Sequence, residues 1–118
     1  MRVVLIGATT NSDRYAFTCT QDLVRHGHEV FLLGIKNGIV AGVPIINDKP
    51  IIPNVDTVTL YVGPKNQEEW LEYIVAIKPR RVIFNPGTEN SSAYTRLNEA
   101  GISYENACTL VLLATNQF

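Results

Sequence analysis

Short, unbroken apolar runs alternate along the chain with stretches whose apolar residues recur every three or four positions. Val3-Val4-Leu5-Ile6 is the first run, and it stops at Gly7. A run that is apolar at every position suits a strand buried on both faces. Ala16, Cys19, Leu23 and Val24 then follow helical spacing, and Gly27 closes that helix. His28 to Leu33 predicts a second strand, ending at Gly34. Residues 34–56 are rich in glycine and proline. They predict a loop with an extended piece at Pro44-Ile45-Ile46 and one helical turn near Lys49. A loop this long usually serves a function.

Thr57 to Val62 is rich in β-branched residues and predicts another strand. Asn66, with Glu69 three residues on, has the form of a capping box. Trp70, Leu71, Ile74 and Ile77 give the apolar face of the helix that follows, and Pro79 ends it. Val82-Ile83-Phe84 predicts a strand. Ala93, Leu97 and Ala100 mark a helix closed by Gly101, and Ile102 to Glu105 a short last strand. Cys108 to Ala114 is apolar almost all round and predicts a buried terminal helix. Strands alternating with helices predict an α/β fold. It is a Rossmann-like parallel sheet of about five strands with helices on both faces, built as one domain over residues 1–118.

Composition narrows the function without naming it. Ten Lys and Arg face eleven Asp and Glu, for a net charge of −1. The longest basic stretch, Lys78-Pro79-Arg80-Arg81, joins a helix to a strand and reads as a solvated junction. Neither a nucleic-acid surface nor a membrane segment is expected. Cys19 and Cys108 lie far apart without metal-ligand spacing, and a reducing cytoplasm is the expected setting.

The chemistry concentrates in loops that leave strand ends. In a parallel sheet these share one edge, where ligands bind in α/β folds. The first is Gly7-Ala8-Thr9-Thr10-Asn11-Ser12-Asp13-Arg14. It offers a glycine turn, hydroxyl and amide side chains, a helix N-terminus and the guanidinium of Arg14, all suited to phosphate. Of the dinucleotide fingerprint only the first glycine is present. Lys36 follows the second strand, where an NAD site carries an acidic residue; no Asp or Glu lies between Val30 and Asn47. A lysine there favours the 3′-phosphate of coenzyme A or the 2′-phosphate of NADP. Val62-Gly63-Pro64 leaves a third strand end, where Gly63 lets backbone pass close to a ligand. Asn85-Pro86-Gly87 is a stiff turn with N–H groups from Gly87 onward. His26 and His28 fall on the opposite edge and read as a turn. Cys19 reads as core, and Cys108 begins the last helix.

These segments together resemble a known family. Residues 7–15, Gly42-Val43-Pro44-Ile45, Tyr61 to Gln67, Asn85 to Asn90 and Ala107 to Val111 are similar to small bacterial CoA-binding proteins. Those proteins look like the amino-terminal CoA-binding domain of the succinyl-CoA ligase α subunit. The resemblance implies coenzyme A as cofactor. Its phosphates would meet Thr9, Thr10, Asn11 and Ser12, and Lys36 matches the lysine that precedes a Gly-x-Pro step. The loops at Val62-Gly63-Pro64 and Asn85-Pro86-Gly87 complete the implied site. Two departures stand out: the first loop is longer than the ligase's, and Phe118 comes before the ligase's phosphohistidine domain. The expectation is therefore a non-catalytic module for coenzyme A or an acyl-CoA. The alternatives are a small NADP-dependent oxidoreductase, with Tyr15 or Tyr94 as proton donor, and a nucleotide-sensing regulatory protein.

Overall fold

The structure is a computed structural model that describes residues 1–118. In chain order the elements are β1 (Arg2–Ile6), α1 (Tyr15–Arg25), β2 (Glu29–Leu33), β3 (Ile39–Val40), β4 (Val43–Ile46) and β5 (Thr57–Leu60). Then come α2 (Glu68–Ile77), β6 (Arg81–Phe84), α3 (Ser91–Glu99), β7 (Ser103–Asn106) and α4 (Thr109–Ala114). One seven-stranded sheet runs in the order β3-β4-β2-β1-β5-β6-β7. All neighbours pair in parallel except the β3–β4 hairpin. The fold is Rossmann-like α/β.

β1 lies at the centre of the sheet, and Val3 to Ile6 are wholly buried. Its alternation divides the core in two, as the two-residue period of a strand requires. Val3 and Leu5 face α1 and α4, packing with Ala16, Cys19, Leu23 and Leu113. Val4 and Ile6 face α2 and α3, packing with Trp70, Leu71, Ile74 and Leu97. The expected apolar face of α2 is buried, each such side chain stabilising by roughly 1.5–3 kcal/mol. β2 and β5 flank β1 on opposite sides, so the connections diverge there. The switch point therefore lies at the carboxyl ends of β1 and β5. No helix is long and apolar enough to cross a membrane.

Four local expectations change. The two strands beyond the expected five come from the 34–56 segment, which holds a hairpin. Ala41 (φ 51°) and Gly42 (φ 82°) both take left-handed backbone, as a tight hairpin turn needs, and pair Val40 with Val43. No helical turn forms near Lys49; its ammonium instead donates to Glu69 O at 2.8 Å. Asn66 is not the cap of α2. Pro64 opens a 3-10 turn over Pro64–Asn66, which brings Gln67 to the cap position with its side chain turned inward. Finally, α4 is not buried all round. It lies on α1 as an outer layer, so Thr109 and Leu113 are buried while Val111 is 55% exposed.

Candidate functional site

The loops after β1, β2 and β5 meet at the carboxyl edge. Gly7 turns with φ 100°, and its N–H donates to Leu33 O at 2.9 Å, which folds the first loop onto the end of β2. A Cβ on Gly7 would stand 3.0 Å from the Tyr61 carbonyl, and one on Gly34 3.1 Å from Ala8 O. Only glycine lets the three loops close on one another. Between them lies a cleft of about 640 Å³.

Gly7, Ala8, Thr9, Arg14, Lys36, Val62 and Gly63, all expected site residues, line this cleft. Others stand apart. Asn11 and Ser12 form the exposed tip of the first loop. Thr9 Oγ1 accepts from Asn11 N at 3.1 Å and Asn11 Oδ1 from Asp13 N at 3.0 Å, so these side chains brace the loop itself. Thr10 packs against Gly38. Pro64 begins the 3-10 turn. Pro86 and Gly87 are exposed, and the Gly87 N–H already meets Glu89 Oε1 at 2.9 Å. Asn85 is buried. Its Nδ2 donates to Thr59 Oγ1 and Leu60 O, and its Oδ1 accepts from Thr109 N at the head of α4.

The cleft also holds residues that the sequence reading assigned elsewhere or passed over. Asn66, Glu69 and Trp70, read as cap and core, form one wall. Tyr15 (76% exposed) and Ile35 (82% exposed) flank the opposite end. Tyr61 leaves the sheet because β5 stops at Leu60 rather than Val62. Burial raises the Tyr61 hydroxyl above its usual range. It lies against Cys19 without good hydrogen-bond geometry, a weak contact. Burial also pushes the Cys19 thiol up to about 12, the Tyr61 hydroxyl pulling slightly the other way. Both groups are therefore neutral at pH 7. Cys108 is half-buried at the N-cap of α4.

Four exposed charges, two of each sign, share the cleft. Arg14 and Lys36, and Asp13 and Glu69, line the cleft without an ion-pair partner. Arg14 is the N-cap of α1, which has neither a side-chain cap nor an acidic residue in its first turn. The free N–H groups of that turn carry partial positive charge toward the cleft, where Tyr15 and Ala16 line it. A helix start with two unpaired cations suits phosphate oxygens. His26 and His28 lie at the opposite edge, in a separate cavity of about 190 Å³ with Leu113, Asn116 and Phe118.

Known proteins share this fold. A solved structure described only as an uncharacterized protein is 47% identical, with a TM-score of 0.96, over 99% of this chain and 97% of that one. A hypothetical protein from Pyrococcus horikoshii OT3 is 28% identical, with a TM-score of 0.79, over 92% of this chain and 78% of that one. A Thermus thermophilus structure at 19% identity and TM-score 0.87, covering 99% of this chain and 90% of that one, shares the fold. No curated protein matches the sequence. The family described as CoA binding domain matches residues 1–114, nearly the whole length, and the chain belongs to that family.

Proposed function

We propose that the chain binds coenzyme A along the carboxyl edge of its sheet and acts as a non-catalytic module. The observation that carries this reading is the pair of unpartnered cations, Arg14 and Lys36, beside the uncapped start of α1 in one cleft. In this reading Lys36 holds the 3′-phosphate, and Ile35 and Tyr15 offer apolar surface to the base. The first turn of α1 and Arg14 hold the pyrophosphate. The pantetheine arm runs past Gly7 and along Val62 and Gly63 toward Asn66 and Trp70. Gly7 and Gly34 support it, because a Cβ at either would press on the backbone of a neighbouring loop and force apart the loops that form the cleft. The lack of turnover is supported by the neutral Cys19 and Tyr61 and by histidines on the far edge. Tyr94, considered above as a proton donor, donates to Asn106 Oδ1 at 2.6 Å and stacks on Tyr104, outside the cleft.

Calorimetric titration with coenzyme A, NADP and NAD tests the reading. Coenzyme A should bind best and NAD worst, since the segment after β2 carries Lys36 and no acidic residue for the ribose hydroxyls of NAD. NAD binding as tight as coenzyme A would overturn the cofactor assignment. Incubation with coenzyme A, succinate and a nucleoside triphosphate should give no thioester; thioester formed by the pure chain would overturn the non-catalytic role.

A further inference from the structure

We propose that two side-chain amides, Asn47 and Gln67, are positioning residues that each set one wall of the cleft, and so govern opposite ends of the ligand. The inference rests on the coenzyme A reading for which end is which.

Asn47 follows β4, the neighbour of β2 in the sheet. Its Nδ2 donates to both Gly34 O and Lys36 O, each at 2.8 Å. Both hydrogens of one nitrogen are thereby spent on carbonyls two residues apart. That curls the loop and fixes the backbone from which Lys36 reaches out. Asn47 is itself exposed, so its contribution is these bonds and not the filling of a core.

Gln67 does the corresponding work at the other end. It is wholly buried, which is unusual for glutamine. Its Nε2 donates to Val62 O at 2.8 Å and Thr88 O at 2.6 Å, and its Oε1 accepts from Asn90 Nδ2 at 2.9 Å. Val62 belongs to the cleft wall, whereas Thr88 and Asn90 belong to the loop after β6. Beyond it, Gly63 has nothing within 4 Å of where a Cβ would stand. The Val62–Gly63 wall is thus tied through one amide to the β6–α3 loop. That loop shapes the cleft without lining it.

Titration of each variant with coenzyme A and with adenosine 3′,5′-bisphosphate tests the division. The bisphosphate carries the phosphates of the Lys36 end and no pantetheine. Asn47→Ala should weaken both ligands by a similar factor, about fivefold to tenfold for one lost hydrogen-bonding group. Gln67→Met, of similar volume, should weaken coenzyme A by about tenfold and leave the bisphosphate unchanged. Gln67→Asn keeps a polar group in place but cannot span both carbonyls; it should show the same split, more mildly. Asn90→Ala removes the Oε1 partner and the α3 cap while sparing both carbonyl bonds. It should lower Tm, leave bisphosphate affinity unchanged and cost coenzyme A clearly less affinity than Gln67→Met. The proposal is overturned if Gln67 variants weaken both ligands alike or neither, or if Asn90→Ala costs as much coenzyme A affinity as Gln67→Met. A wild-type protein that binds neither ligand would overturn the coenzyme A reading itself, a different result from any of these.

Discussion

The two edges of the sheet treat charge in opposite ways. At the amino edge ionic groups find one another: Arg2 Nε meets Glu29 Oε1 at 3.0 Å, and Arg80 Nε meets Asp56 Oδ1 at 2.7 Å. Arg81 reaches Glu105 at 3.1 Å and lies over the Phe118 ring; one of its nitrogens, Nη2, is buried without a partner. At the carboxyl edge Arg14, Lys36, Asp13 and Glu69 face a cleft unpaired. Paired charges spend their electrostatic energy on the fold, whereas unpaired ones remain able to interact with a ligand. The difference supports the reading of the carboxyl edge as the ligand site.

The largest expected effect breaks the site edge outright. Gly7→Val puts a β-branched residue at φ 100° and a Cβ 3.0 Å from the Tyr61 carbonyl. The left-handed backbone costs roughly 1–3 kcal/mol and the overpacking a similar amount. The sequence alone predicts a crowded turn and lost binding with the domain intact; the backbone contact predicts lost stability as well. Denaturant titration decides, and unchanged stability would mean that the loops do not close as described. Next, Lys36→Ala should weaken coenzyme A by about tenfold to a hundredfold, the worth of a charge-assisted bond of roughly 1.5–3 kcal/mol. Dephospho-CoA, without the 3′-phosphate, should barely notice. Equal losses for both would move Lys36 off that phosphate.

At the structural edge, Asp56→Asn should cost about 0.2–1 kcal/mol and leave ligand affinity unchanged. The Arg80 hydrogen bond holds the Asp56 carboxyl below its usual range. Its stabilisation is therefore full above the unfolded value of about 4 and fades as pH falls through the lower folded value. Wild type and variant should begin to converge in acid unfolding below about pH 4 and meet only below the lower folded value. A gap that persists there would assign the loss to packing. The smallest effect concerns thiols. Coenzyme A disulfide should label Cys108 in the folded chain and Cys19 only after unfolding, since one is half-exposed and the other buried. Mass spectrometry showing no adduct at Cys108 in the folded chain, or one formed equally on the unfolded chain, would leave it as core.

The sequence carried the strands, both helix faces and the shared edge of the loops, because each depends on spacing within a short window. Gly7 and Lys36 were legible for the same reason. The hairpin at Ala41-Gly42 was hidden, since alanine rarely takes the left-handed backbone that its turn requires. Asn85 looked like a ligand loop, yet its partner at Thr109 lies far along the chain. Gln67 and Asn47 were passed over because their partners become neighbours only when the sheet is assembled. Asn66 and Glu69 fitted a capping box that the proline-led turn displaced.

The same hairpin also limits how the sheet can grow at its β3 edge. An exposed strand edge is a template on which another chain can add, and such edges drive aggregation. Beyond β4 the outermost strand is β3, just Ile39–Val40, followed at once by a turn that reverses the chain. An arriving strand would find only two residues of backbone to pair with. Lengthening β3 while keeping its sequence apolar would rebuild a proper template, and assembly into fibrils would be the hazard of that redesign.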